Sequence, residues 1–184
     1  MNLKRFIFPI LVVAIVSCEG QEARHPIKKH SGSFIKESAV KNKEIYEKER
    51  QFLENLIAQD SSNNYIVSDH GFWYFYHKKD TANTINPELG DRVQFTYDIR
   101  NIRDETIISE EENGIQDYRI DQSNQELFSG IREGLKLMKE GEKVTFLFPS
   151  YKAYGYYGLA NKIGSNIPIK STVTLLSITE NNPE

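Results

Sequence analysis

Two runs near the C-terminal end, Lys143–Phe148 and Ser171–Thr179, constrain the fold more than any other feature. Both carry apolar or β-branched side chains at successive positions. Successive residues of a strand point to opposite faces of a sheet. Strands that are apolar on both faces belong in the middle of a sheet and under cover. Pro149 follows the first run and cannot donate to a ladder, so that strand ends there. A different pattern lies upstream. Val93, Phe95, Tyr97 and Ile99 alternate with Gln94, Thr96, Asp98 and Arg100. This period of two sets four apolar side chains on one sheet face.

Further short strands fit the same sheet. Tyr65–Val67 and Phe72–Tyr76 flank a Ser68-Asp-His-Gly71 turn, and Trp73 is expected half-buried on the sheet. Ile107-Ile108 and Tyr118 with Ile120 read as strand pieces, and Glu110–Gly114 between them reads as an acidic loop. Ser123–Lys139 reads as a helix, with Leu127, Ile131, Leu135 and Met138 on one stripe. Gly130 and Gly134 each weaken that helix by about 1 kcal/mol relative to Ala. Their expected use is close approach of helix to sheet, and Gly141 is placed to end the helix. The expected fold class is α+β: an antiparallel sheet of about five or six strands wrapped on one short helix.

The N-terminal part follows other rules. Lys4 and Arg5 precede an apolar run, Phe6–Val16, too short to span a bilayer and suited to a secretory signal over residues 1–17. Ile15-Val16-Ser17-Cys18 resembles the lipobox of bacterial lipoproteins, which implies cleavage before Cys18 and a lipid on it. A plain signal peptide is the alternative. Residues 18–37 read as a polar, lipid-anchored tether. A helix is expected over Ser38–Gln59, with Ser38 as its cap and Asp60–Asn64 as its break, giving an N-terminal helical segment 38–64 before a domain over 65–184. Its stripe of Ile45, Phe52, Leu53, Leu56 and Ile57 can pack on that domain or pair with a second copy as a homodimer.

Several chemistries find no support. The formal net charge is −3, and loss of residues 1–17 removes Lys4 and Arg5 but no acid. An acidic chain with interspersed signs argues against nucleic-acid binding. Nothing has the spacing of a phosphate-binding glycine loop, a Cys/His metal site or a Gly-x-Ser-x-Gly elbow, so no metal and no cofactor is expected. The Glu110–Glu112 cluster reads as solvated, since a cation needs ligands from several directions.

What remains is the loop Phe148–Gly158, with four tyrosines and two glycines. It can line an apolar cleft and place a hydroxyl in it, or it can merely cover the core. Gly90–Tyr97, Phe128–Met138, Pro149–Gly155 and Asn166–Pro168 resemble, in order, the motifs of the FKBP family of peptidyl-prolyl cis-trans isomerases. The whole layout, signal and tether included, resembles the gliding-motility-associated lipoprotein isomerases of Bacteroidota.

The resemblance implies a shallow apolar cleft floored by the helix. It assigns Tyr97, Tyr118, Ile167 and Leu175 to the walls, with Leu127 beside them, and Ile131 to the floor. It gives the Tyr154 hydroxyl and the Phe128 backbone N–H the carbonyls that flank proline. Two positions depart from the family pattern. Ile107 stands where phenylalanine is usual and Ile108 where aspartate is usual. The expected function is prolyl isomerisation of exported cell-envelope proteins, with gliding-motility proteins as one class of client, from a lipoprotein facing the periplasm. The alternative is a non-catalytic chaperone or binding module in an envelope assembly.

Overall fold

The computed structural model describes residues 31–122 and 127–181. Cys18, the apolar run and most of the tether lie outside them. The first element is helix α1, Ser31–Gln59. It begins before Ser38, so Ser38 lies inside it and residues 31–37 are helical instead of tether. Gly32 lies within this helix, and one glycine costs a helix only about 1 kcal/mol, which a long Glu/Lys-rich run tolerates. By internal contacts the chain divides at Ser38/Ala39, within α1. The following concerns the unit from Ala39 onward.

Eight strands form one antiparallel sheet among the described residues. They are β1 (Ile66–Val67), β2 (Trp73–Lys78), β3 (Arg92–Tyr97), β4 (Ile99–Arg100), β5 (Thr106–Ile108), β6 (Gln116–Arg119), β7 (Lys143–Phe148) and β8 (Ile169–Thr179). The main order is β1-β2-β7-β8-β3-β6, with β4 beside β8 and β5. The two doubly apolar runs, β7 and β8, are central neighbours as their composition requires. The count exceeds the expected five or six, and one of the extra strands arises because the alternating run is divided. At Asp98, the N–H donates to Thr172 O, and Oδ1 accepts from Thr172 N at 2.7 Å. That side-chain bond interrupts the ladder between β3 and β4. The alternation itself holds, since Val93, Phe95, Tyr97 and Ile99 are all buried.

Two segments differ from their sequence reading. The acidic stretch forms a one-turn helix α2, Glu110–Asn113. Ser109 Oγ accepts from Glu112 N–H at 3.1 Å, and three glutamates sit in the first turn, where the helix dipole favours them. The second long helix is shorter than expected. Helix α3 spans Ser129–Leu135 only, because Phe128 has extended backbone (φ −65°, ψ 154°). The stripe survives the shortening, and Leu127, Ile131, Leu135 and Met138 are all buried.

The sheet has an apolar layer on each side. On the α3 side lies the main core, with Phe72, Phe95, Phe146 and Phe148 fully buried. A Cβ added at Gly130 would lie 2.6 Å from the Phe148 ring, and one at Gly134 would lie 3.0 Å from the Phe146 ring. These glycines therefore let α3 sit directly on the aromatic floor. A smaller cluster joins Leu53 of α1 to Trp73 and Leu147. Trp73 is 7% exposed, more buried than expected, because α1 covers it. The helix stripe thus packs on its own domain at Leu53, while Phe52 remains exposed. No helix among the described residues is long and apolar enough to cross a membrane.

Candidate functional site

The site residues gather where the α3-side core meets the surface. Tyr97 is the last residue of β3 and points inward on the alternating face. Tyr118 on β6 pairs with Val93 and is also inward. Leu127 and Ile131 come from the entry and first turn of α3, and Leu175 from β8. All five are buried in the same core cluster. Phe128 and Tyr154 pack against it and stay partly open, with ring centroids 5.2 Å apart. Phe128 also meets Phe148 edge-on at 5.4 Å.

The loop holding Tyr154 is built by its backbone. Ser150–Lys152 make one 3₁₀ turn after Pro149. Ser150 O accepts from Ala153 N–H at 3.0 Å and from Gly155 N–H at 2.8 Å. Tyr154 lies between these two donors, so its direction is set by the fold-back. Gly155 has φ +57°, a conformation that costs glycine little. Asn166 N–H donates to Gly155 O at 2.8 Å, tying on the last loop.

Burial raises the Tyr154 phenol well above the ordinary tyrosine range, with a smaller contribution from the nearby Tyr97. Burial also raises Tyr97. Both phenols therefore keep their protons, and remain hydrogen-bond donors, throughout the neutral range. Among the described residues the Tyr154 hydroxyl has no hydrogen-bond partner, and the Phe128 N–H meets no acceptor. The Tyr118 hydroxyl is buried without a described partner.

Ile107, Ile108 and Ile167 lie at different depths. Ile108 is the inward residue of β5, 8% exposed and opposite Ile99, while Ile107 is only partly buried against the core. The deeper position in that strand therefore belongs to Ile108. Ile167 is 42% exposed and outside the core cluster. It sits at the rim, over Gly164. The sequence reading passed over Ile163, which is buried in the same cluster and forms a bridge with Leu159. No periodicity marks it, because a lone bridge within a loop has none. Glu49 was also missed; its carboxylate reaches Ser150 across the fold.

An antiparallel sheet on a short helix, with an apolar site floored by that helix and edged by tyrosines, defines an FKBP-like α+β fold. Residues 83–176 match the family model of the FKBP-type peptidyl-prolyl cis-trans isomerases. The chain belongs to this family and so to the prolyl isomerase class of enzyme. Solved structures agree on the fold. A peptidyl-prolyl cis-trans isomerase from Pseudomonas syringae aligns with TM-score 0.58 at 20% identity, over 75% of this chain and 96% of that one. FkpA from Escherichia coli aligns with TM-score 0.58 at 19% identity, over 97% of this chain and 83% of that one. No curated protein matches.

Proposed function

We propose that this site turns prolyl peptide bonds of exported cell-envelope proteins, gliding-motility proteins among them. The observation that carries the catalytic part is a pair of donors with no described acceptor, the Tyr154 hydroxyl and the Phe128 N–H, at an apolar surface. Rotation of an X-Pro amide is slow because resonance is lost at the top of a barrier of about 18–20 kcal/mol. No bond is made or broken, so the reaction needs neither nucleophile nor metal. The planar amide is more dipolar than the twisted one, and a dry apolar surface disfavours the planar form. Phe128 and Tyr154, which stay partly open, supply that surface, backed by the buried Tyr97, Ile131 and Leu175. Donors aligned to the carbonyls of the twisted form stabilise it selectively. Each 1.36 kcal/mol so gained speeds rotation tenfold.

The cellular setting rests on sequence features: the basic start, the apolar run, Cys18 and the polar residues after it. They support a lipid-anchored protein of the envelope, of the kind found in gliding-motility machineries. A second reading is a chaperone that grips apolar segments without turning them. It is favoured by the aliphatic side chains of Ile107 and Ile108, which stand where the family pattern has phenylalanine and aspartate. A proline-tetrapeptide assay with the full chain and Tyr154→Phe separates the two. The isomerase predicts acceleration that falls about tenfold in the variant, corresponding to one hydrogen bond of about 1.4 kcal/mol. Aggregation suppression without any acceleration would instead establish the chaperone.

A further inference from the structure

Glu49, on α1, is far from Tyr154 in sequence, yet its carboxylate closes on the loop that carries this tyrosine. Ser150 Oγ–H donates to Glu49 Oε2 at 2.7 Å, and Ser150 N–H donates to Glu49 Oε1. The geometry is that of a carboxylate taking two donors from one residue, with each oxygen used once. Ser150 is fully buried, so water cannot replace either bond. Its third polar group, the carbonyl, accepts from Ala153 and Gly155 on either side of Tyr154. Every hydrogen-bonding group of Ser150 is thereby committed. Two fix it to α1 and the third fixes the Tyr154 fold-back to it. Adjacent contacts brace the same joint. Tyr46 of α1 meets Tyr151 with ring centroids 5.0 Å apart, and the Tyr151 hydroxyl donates to Gly71 O at 3.0 Å.

We propose that Glu49 is a positioning residue for prolyl isomerisation, setting the Tyr154 hydroxyl through Ser150 and so making α1 part of the catalytic apparatus. The inference rests on the role proposed above for Tyr154. Neither Glu49 nor Ser150 touches the prolyl site. Their effect passes through the 3₁₀ turn, whose displacement by a fraction of an ångström moves a donor that must meet a carbonyl within hydrogen-bond range. A charged acceptor holds two donors more firmly than a neutral one. A carboxylate one methylene shorter would leave the buried donors unmet or draw the turn toward α1.

The test measures tetrapeptide isomerisation by the full chain at a temperature where circular dichroism shows every variant folded. Wild type, Glu49→Ala, Glu49→Gln, Ser150→Ala and Tyr154→Phe are compared, with Glu47→Ala as control. Among the described residues Glu47 pairs with Arg50, and both side chains are exposed on α1. Expected are about a tenfold fall in kcat for Glu49→Ala with little change in KM, a smaller fall for Glu49→Gln, and no change for Glu47→Ala. In Tyr154→Phe, adding Glu49→Ala should cost little more, because the group being positioned is gone. Faster amide exchange at Ala153 and Gly155 in Glu49→Ala should accompany the loss. If Glu49→Ala does not fold, Ser150→Ala and Glu49→Gln carry the same comparison. An active wild type with unchanged kcat in these variants, or equal losses in both Tyr154 backgrounds, overturns the positioning role. An inactive wild type instead overturns the isomerase reading beneath it.

Discussion

Replacing Gly130 by alanine sets two effects of known size against each other. On an exposed helix the change would be favourable, since alanine is better than glycine by about 1 kcal/mol. Here the new methyl would stand 2.6 and 2.7 Å from two atoms of the Phe148 ring and 2.9 Å from the Lys152 carbonyl oxygen. Carbon contacts are comfortable at about 3.5–4.0 Å, so the ring or the helix must move by about 1 Å. The ring has nowhere to go. Phe148 is fully buried, stacked on Phe146 at 5.4 Å and edge-on to Phe72 at 5.2 Å. The carbonyl is held by Ser129 Oγ–H at 3.2 Å. Overpacking of this kind costs about 1–3 kcal/mol, and two blocked neighbours put it at the upper end. After the propensity gain, a net loss of about 2 kcal/mol is expected, a fall in Tm of about 4–8 °C. Gly134→Ala, at 3.0 Å from the Phe146 ring, should lose less. Urea or thermal denaturation followed by circular dichroism measures both. A Gly130→Ala protein as stable as wild type would refute the argument that close helix–sheet approach requires this glycine.

Other expectations follow from the same structure. Leu53→Ala opens a hole beside Trp73 and Leu147 and should cost about 3 kcal/mol. Because Trp73 is the sole tryptophan, its emission should also shift red in the folded variant as α1 loosens. Alkaline pH should unfold the protein through its tyrosines. Burial raises Tyr97 and Tyr154, and pushes Tyr76 up to about 12. An unfolded tyrosine titrates near pH 10, so above that the native state binds more protons than the unfolded state and stability falls as pH rises. The urea midpoint should be flat from about pH 7 to 9 and drop from about pH 10 upward. A midpoint unchanged well above pH 10 would contradict the burial of these phenols. In Gly158→Ala, the added Cβ would lie 2.3 Å from Ile163 O at φ +65°. The Leu159–Ile163 bridge should open, read as lost amide protection at Leu159 and Ile163 with the rest of the sheet intact.

The parts of this fold that repeat were legible in the sequence. Val93 to Ile99 announced an inward face, and the doubly apolar runs announced the central pair. The helix stripe from Leu127 to Met138 was buried as its spacing required, though only the middle of it is helical. What escaped depends on single local bonds. Ser109 turned an acidic stretch into a capped helical turn, and Asp98 divided a strand through Thr172. The motif residues Tyr97, Phe128, Ile131 and Tyr154, far apart in sequence, gather in or against one core cluster. The deeper burial of Ile108 than of Ile107, the exposure of Ile167 and the burial of Ile163 carried no such signal. Each depends on how a loop closes, and alternation does not encode that. The contact between Glu49 and Ser150 joins segments a hundred residues apart and leaves no local signature in either.

The account depends on catalysed rotation of a prolyl bond at Tyr154. The direct measurement is NMR exchange spectroscopy on a short peptide with one resolved X-Pro bond, at catalytic amounts of the full chain. The prediction is cis–trans exchange on the second timescale or faster with wild type, against tens of seconds or longer alone, and about tenfold less enhancement with Tyr154→Phe. Exchange no faster with the protein than without it, or enhancement unchanged in the variant, would contradict the account.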